Sequence, residues 1–262
     1  MMLTATLSLL ASAASIVSAA PLEKRAGTSY NGGNTANDVV NKICAPVTLI
    51  FARGSTESGN MGSSVGPALA KALISQLGAS GVAIQGVDYE ATIASNANMG
   101  SGGGPVMASL AKQALSQCPN TKIAISGYSQ GGSVTHYAVK SAGLSPDSVS
   151  SAVLYGDPMQ RQSVGSLPAS KVKQFCASGD GVCENGTFSI SAAHLSYTSN
   201  GDVTAGAQFI AQQAGTSSGS ASTTATPTTG TPAATSTAAV AATSTAAAGS
   251  TPKTTKPWWQ WW

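Results

Sequence analysis

The sequence has little charge: Asp, Glu, Lys and Arg make up 9% of its 262 residues, against about a quarter in an ordinary soluble domain. Its surface must therefore be kept wet by Ser, Thr, Asn, Gln and Gly. An excess of one sign is missing as well. Residues 26–214 hold nine Lys and Arg against nine Asp and Glu. They offer no basic stripe to a phosphate backbone, which excludes a nucleic-acid partner. The formal +3 comes from Lys24, Arg25, Lys253 and Lys256 set against Glu23. Histidine is scarce, with His136 and His194 the only two, and the four Cys form no C-x-x-C pair. No metal site and no cofactor is expected from that inventory. Tryptophan is absent before Trp258. After Ala20 no apolar run is long enough for a membrane span.

What is present divides the chain into five parts. Residues 1–20 are rich in Ala, Ser and Leu and end in Val17-Ser18-Ala19-Ala20, small residues suited to signal cleavage. Residues 21–25 close on Lys24-Arg25, a dibasic pro-segment site that would start the processed chain near Ala26. Residues 26–214 are the folded domain. Residues 215–257 are almost wholly Ser, Thr, Ala, Gly and Pro. That composition buries too little apolar area to offset its chain entropy and reads as a disordered, O-glycosylated linker. Residues 258–262, Trp-Trp-Gln-Trp-Trp, form a tag whose indole faces suit a sugar or polymer surface. The protein is expected outside the cell, as a monomer.

Within residues 26–214, strand and helix periods alternate. Residues 46–52, 82–89, 122–127, 149–155 and 171–176 read as short buried strands. Apolar positions at helical spacing mark helices around residues 65–77, 107–115, 130–141 and 203–210. Such alternation implies a parallel sheet covered on both faces, an α/β domain with its chemistry at the C-terminal ends of the strands.

The stretch Ser126-Gly127-Tyr128-Ser129-Gln130-Gly131-Gly132 contains G-x-S-x-G directly after a strand and before a helix. In that context the turn exposes the Ser hydroxyl, and the amide of the next residue, Gln130, faces a developing oxyanion. An unassisted Ser needs a base. His136 lies seven residues along the same helix, about 10 Å up its axis, and reads as a packed or surface residue. His194, in a loop of small residues after the last strand, is the base by elimination. The acid that orients it falls between Ser and His in this fold. Asp147 sits at the wrong end of the sheet. Asp157 competes, although it also suits a turn cap before Pro158. Asp180, bracketed by Cys176 and Cys183, is preferred over it and over Glu184. Four Cys allow three pairings. Cys176–Cys183 is the local one, which leaves Cys44 for Cys118. Asn185-Gly186-Thr187 is the N-glycosylation sequon of this part.

These residues resemble the secreted fungal cutinases and their relatives, the acetylxylan esterases. Four blocks carry the resemblance: Phe51-Ala52-Arg53-Gly54-Ser55-Thr56-Glu57, Gly127-Tyr128-Ser129-Gln130-Gly131, Cys176-x-x-x-Asp180-x-x-Cys183, and His194. The resemblance implies a small α/β-hydrolase, a three-layer α/β/α sandwich with a five-stranded parallel sheet and no large lid. It implies a triad of Ser129, Asp180 and His194, and an oxyanion hole from Ser55 and Gln130. Ser55 also lies just past the first strand, at the same sheet edge. Residues 95–104 depart from the apolar flap a cutinase is expected to have, and read as polar and mobile. Phe188 and Ile190 remain to face an acyl chain.

The expected activity is hydrolysis of carboxylic esters through an acyl-enzyme, on an insoluble polymer such as cutin or a similar polyester. Deacetylation of xylan is the alternative within the family. A non-catalytic polymer binder on a hydrolase scaffold is the alternative outside it.

Overall fold

The computed structural model describes residues 27–215. The expected leader (1–20), pro-segment (21–25) and tail (258–262) lie outside the described residues, as does all of the expected linker except Gly215. Among the described residues no helix is long and apolar enough to cross a membrane.

Five strands form one parallel sheet: β1 (Val47–Ala52), β2 (Val82–Gly86), β3 (Lys122–Tyr128), β4 (Val149–Tyr155) and β5 (Val172–Phe175), in the order β2-β1-β3-β4-β5. Every residue of β1 and β2 is buried, as Val/Ile/Leu runs covered on both faces should be. Register is fixed from the centre outward, with Val47 opposite Val82 on one side and Lys122 on the other. Helices α1 (Val65–Leu77) and α5 (Asp202–Gln213) cover one face through Leu69, Leu73, Val203 and Ile210. Helices α2 (Gly104–Gln117) and α3 (Gln130–Lys140) cover the other through Met107, Leu110, Val134 and Ala138. A five-residue helix, α4 (Gly181–Asn185), follows β5. It escapes sequence reading because one turn shows no periodicity.

The β2 edge is not left open. Asp38 N donates to the Ile84 carbonyl at 3.0 Å, and Gly86 N donates to Ala36 O at 2.9 Å. The buried Asp38 carboxylate accepts from the Ile84 amide at 2.8 Å and from the Ser29 hydroxyl at 2.6 Å. This strap satisfies backbone groups that would otherwise template pairing with another chain. β2 stops at Gly86 rather than continuing to Tyr89, whose hydroxyl turns to the Arg53 carbonyl at 2.5 Å. Disulfides join Cys44 to Cys118 and Cys176 to Cys183.

The chain crosses from β1 to β2 in one direction and from β2 past β1 to β3 in the other. The strand order reverses at β1 and β3, and a crevice opens beyond their C-terminal ends. Ser55 follows β1 and Ser129 follows β3, which puts both at that crevice. Among the described residues, none of the connections at this edge carries an inserted lid domain.

Candidate active site

Ser129 caps the N-terminus of α3 with φ 54° and ψ −121°. A non-Gly residue held there stores about 1–3 kcal/mol of backbone strain. The surroundings enforce it. A Cβ on Gly127 would lie 2.1 Å from the Gly131 carbonyl, and one on Gly131 would lie 2.0 Å from the Ala52 carbonyl. Only glycines at both positions let strand and helix meet this tightly. The turn leaves Ser129 half-buried at the cleft, with the first amides of α3 behind it.

His194 and Asp180 meet beside it. The His194 Nδ1 lies 2.9 Å from Oδ1 and 2.8 Å from Oδ2 of Asp180, and both residues are buried. A carboxylate only accepts, so Nδ1 carries the proton and Nε2 is left for the cleft that His194 and Ser129 both line. Asp180 also caps α4 by accepting from Val182 N at 3.0 Å. Its Oδ2 accepts from the Tyr197 hydroxyl. Burial alone would raise the Asp180 pKa. Hydrogen bonds from His194 and Tyr197, the His194 charge and the Val182 amide outweigh it and hold the carboxyl below its ordinary range. Tyr197 is shifted upward, by burial first and then by its bond to Asp180.

Tyr128 stacks on the imidazole, with ring centroids 5.1 Å apart and planes 26° apart, and its hydroxyl donates to the His194 carbonyl at 2.9 Å. Sequence reading missed both tyrosines. The signal for Tyr128 was its place beside Ser129; Tyr197 gave none beyond lying three residues past His194.

The other candidates lie elsewhere. Asp157 does not meet His194. Its carboxylate binds His136 Nε2 at 2.8 Å and the Met159 amide at 2.9 Å, so the turn-cap reading accounts for part of its role. His136 is 1% exposed. Of the two expectations for it, packed or surface, the packed one holds, and the residue it packs against is Asp157. Asp147 lies in a short turn before β4, and Glu184 accepts from the Gly179 amide at 2.9 Å.

Ser55 and Gln130 are hydrogen-bonded through Ser55 Oγ and Gln130 Oε1 at 3.2 Å. The loop that carries Ser55 is fixed by Glu57, whose carboxylate accepts from the amides of Gly54 at 2.8 Å and Ser64 at 3.0 Å. Arg53 donates to the Tyr89 carbonyl at 2.7 Å. Residues 95–104 are polar, but they are not a loose flap. A 3₁₀ turn at Ala94–Asn98 buries Asn96, whose Nδ2 donates to Ser55 Oγ at 2.9 Å, and Ser95 Oγ accepts from Gln130 Nε2 at 2.8 Å. Ser95 and Asn96 are thus spent on bonds to Gln130 and Ser55.

The cleft holds about 380 Å³. Phe188 and Ile190 stand at its rim, 51% and 57% exposed, and Ile93 and Leu195 join them at 70% and 65%. Four of the five exposed large apolar side chains among the described residues thus surround one opening. Thr56, Glu57, Ser63 and Ser64 are among the polar residues that also line it.

A parallel sheet reversing at β1 and β3, with a strained serine turn and a buried His–Asp pair at its edge, defines a carboxylic ester hydrolase of the small α/β type. The chain belongs to the cutinase family: the Cutinase family model matches residues 43–214. Cutinase 4 of Emericella nidulans is 48% identical over 205 residues, which cover 78% of this chain and 86% of that relative. A cutinase of Botryotinia fuckeliana is 42% identical over 176 residues, covering 66% and 86%. Among solved structures, Trichoderma reesei cutinase in complex with a phosphonate inhibitor superposes with a TM-score of 0.63 at 34% identity, covering 70% of this chain and 80% of that one. An iodinated acetyl xylan esterase gives 0.54 at 26% identity, covering 65% and 99%.

Proposed function

We propose that Ser129 is the nucleophile of this cutinase-like esterase, His194 its general base and Asp180 the acid that orients the base. The observation that carries this reading is the buried Asp180–His194 pair, whose free Nε2 is left for the cleft shared with Ser129. Ser129 Oγ attacks the ester carbonyl carbon as its proton passes to Nε2. The tetrahedral oxyanion is held by the Gln130 amide and by the amide and hydroxyl of Ser55. The C–O bond to the alcohol then breaks, and that alcohol takes the proton from His194. Water, deprotonated by the same nitrogen, releases the acid and restores Ser129.

The substrate class follows from the rim. Four exposed apolar side chains at one opening suit an acyl chain of several carbons laid against Phe188 and Ile190. An acetyl group would leave most of that apolar surface unused. The reading is therefore an extracellular enzyme acting on cutin or a similar insoluble polyester, delivered by the leader at residues 1–20. Ser129→Ala is expected to abolish hydrolysis of p-nitrophenyl butyrate, and retained activity would remove Ser129 from its role. In a rate series on p-nitrophenyl esters, C4 to C8 chains should outpace C2. A preference for C2, with release of acetate from acetylated xylan, would favour the acetylxylan reading.

A further inference from the structure

One pair of titratable side chains takes no part in the chemistry above. His136, in the second turn of α3, and Asp157, two residues past β4, are each 1% exposed and meet at 2.8 Å. His136 Nδ1 faces the Ser163 carbonyl at 3.2 Å; that oxygen only accepts, so this nitrogen carries a proton. Asp157 collects two further donors, the Met159 amide at 2.9 Å and Gln174 Nε2 at 3.3 Å. One carboxylate thus ties together α3, β5 and the turn after β4. Such a pair is a weak stabiliser, because taking its polar groups out of water is costly and apolar residues of equal volume often serve as well.

Its position in the chain suggests a different use. Gly156, immediately before Asp157, has φ +55°, and a Cβ there would stand 2.7 Å from His194 Cε1 and 3.0 Å from Asp180 Oδ2. Its bare backbone is the floor against which the imidazole rests. Pro158, immediately after, lines the cleft. On its other side Asp157 meets the first turn of α3: a Cβ on Gly132 would lie 2.5 Å from Asp157 Oδ1. The Gly132 amide itself donates to the Ser129 carbonyl at 2.8 Å. Asp157 therefore stands between the turn that presents Ser129 and the floor beneath His194.

We infer that His136 and Asp157 are positioning residues, whose buried pair clamps the β4–β5 connection to α3 and so sets the spacing between Ser129 and the His194 ring. This rests on the assignment of Ser129 and His194 above. Loss of the clamp should leave ester binding nearly intact and slow the chemical steps, because misplacement by about 1 Å costs on the order of a hundredfold in rate.

The test uses the full chain with His136→Leu, His136→Gln and Asp157→Asn. Competent sites are counted by phosphonate titration, so that folded fraction does not enter kcat. In His136→Leu, kcat per titrated site is expected to fall about tenfold to a hundredfold, with KM changed less than threefold. His136→Gln, which reaches only one of the two acceptors, should lose about tenfold and serves if the leucine variant does not fold. Asp157→Asn can donate its amide to Nε2 and should stay within threefold of wild type. Wild-type protein that takes up no phosphonate sinks the nucleophile assignment and the clamp with it. Wild type that is labelled, with kcat per site within twofold in either His136 variant, overturns the clamp alone. So does an Asp157→Asn variant as slow as Asp180→Asn, since Asp157 would then act through charge rather than as a tether.

Discussion

Asn96 is the residue whose effect reaches furthest beyond its size. Its amide donates to Ser55 Oγ, so it sets where that hydroxyl points before any substrate arrives. Removing an oxyanion donor outright costs about a hundredfold to a thousandfold in kcat. Asn96→Ala, which leaves the Ser55 hydroxyl of the proposed oxyanion hole present but unaimed, should cost on the order of tenfold with KM little changed. Steady-state kinetics on p-nitrophenyl butyrate check this, and an unchanged kcat would show that Ser55 needs no such support. Asp180 carries a prediction in pH. Its native carboxyl gives up its proton more readily than an unfolded one, so its contribution to stability is full above the ordinary Asp range near pH 4 and is lost as pH falls through the native value. The melting-temperature gap between wild type and Asp180→Asn should therefore narrow from pH 6 toward pH 2; a constant gap would contradict it. At this scale the sequence was readable where chemistry left few choices. With two His in the chain, distance along the helix set His136 apart, and the other, His194, is the one found against Asp180 at the cleft that Ser129 lines. Asn96 and Tyr197 were not readable. Asn96 acts on a residue 41 positions away, and Tyr197 on one 17 positions away, through closeness that only the fold creates. The His136–Asp157 pair, 21 positions apart, was hidden for the same reason.

Among the elements, the two disulfides should separate stability from activity. Cys44–Cys118 spans 74 residues of sequence and Cys176–Cys183 spans 7. Loop-entropy reasoning gives the first about 4 kcal/mol and the second about 2.5 kcal/mol. The short one brackets Asp180 and holds α4, which that residue caps. Replacing Cys44 and Cys118 by Ser should lower the melting temperature by about 10 °C while leaving kcat at 25 °C within about twofold. Replacing Cys176 and Cys183 should melt less and cost about tenfold or more in kcat, because Asp180 loses its mount under the proposed mechanism. Thermal melts and rates measured side by side decide it, and equal kcat losses would undo the distinction. The strands were legible because buried runs of Val, Ile and Leu permit little else. The polar flap was misread because Ser95 and Asn96 look like solvent-facing residues until their partners, Gln130 and Ser55, are seen.

Across the whole molecule, alternation of periods was enough for the layers and the sheet edge, since parallel strands with helical crossovers admit few arrangements. The strap on β2 was not foreseen, because nothing in residues 28–38 shows a period. The balance of nine cations against nine anions in residues 26–214 implies that docking on an uncharged polymer owes little to Coulomb forces. Adsorption of a chain lacking residues 216–262 to polyester film should change less than twofold between about 0.05 and 0.5 M salt, measured by depletion from solution. A steep salt dependence would point to charge instead. The same truncation should leave soluble-ester kinetics intact, if residues 258–262 serve only as a tag. The ring of Ile93, Phe188, Ile190 and Leu195 has a practical corollary for anyone feeding the enzyme a solid. Material below the outermost layer is invisible to it, so throughput at saturating protein should follow the area of the particles rather than their mass, and finer milling should raise the yield as much as adding more polymer.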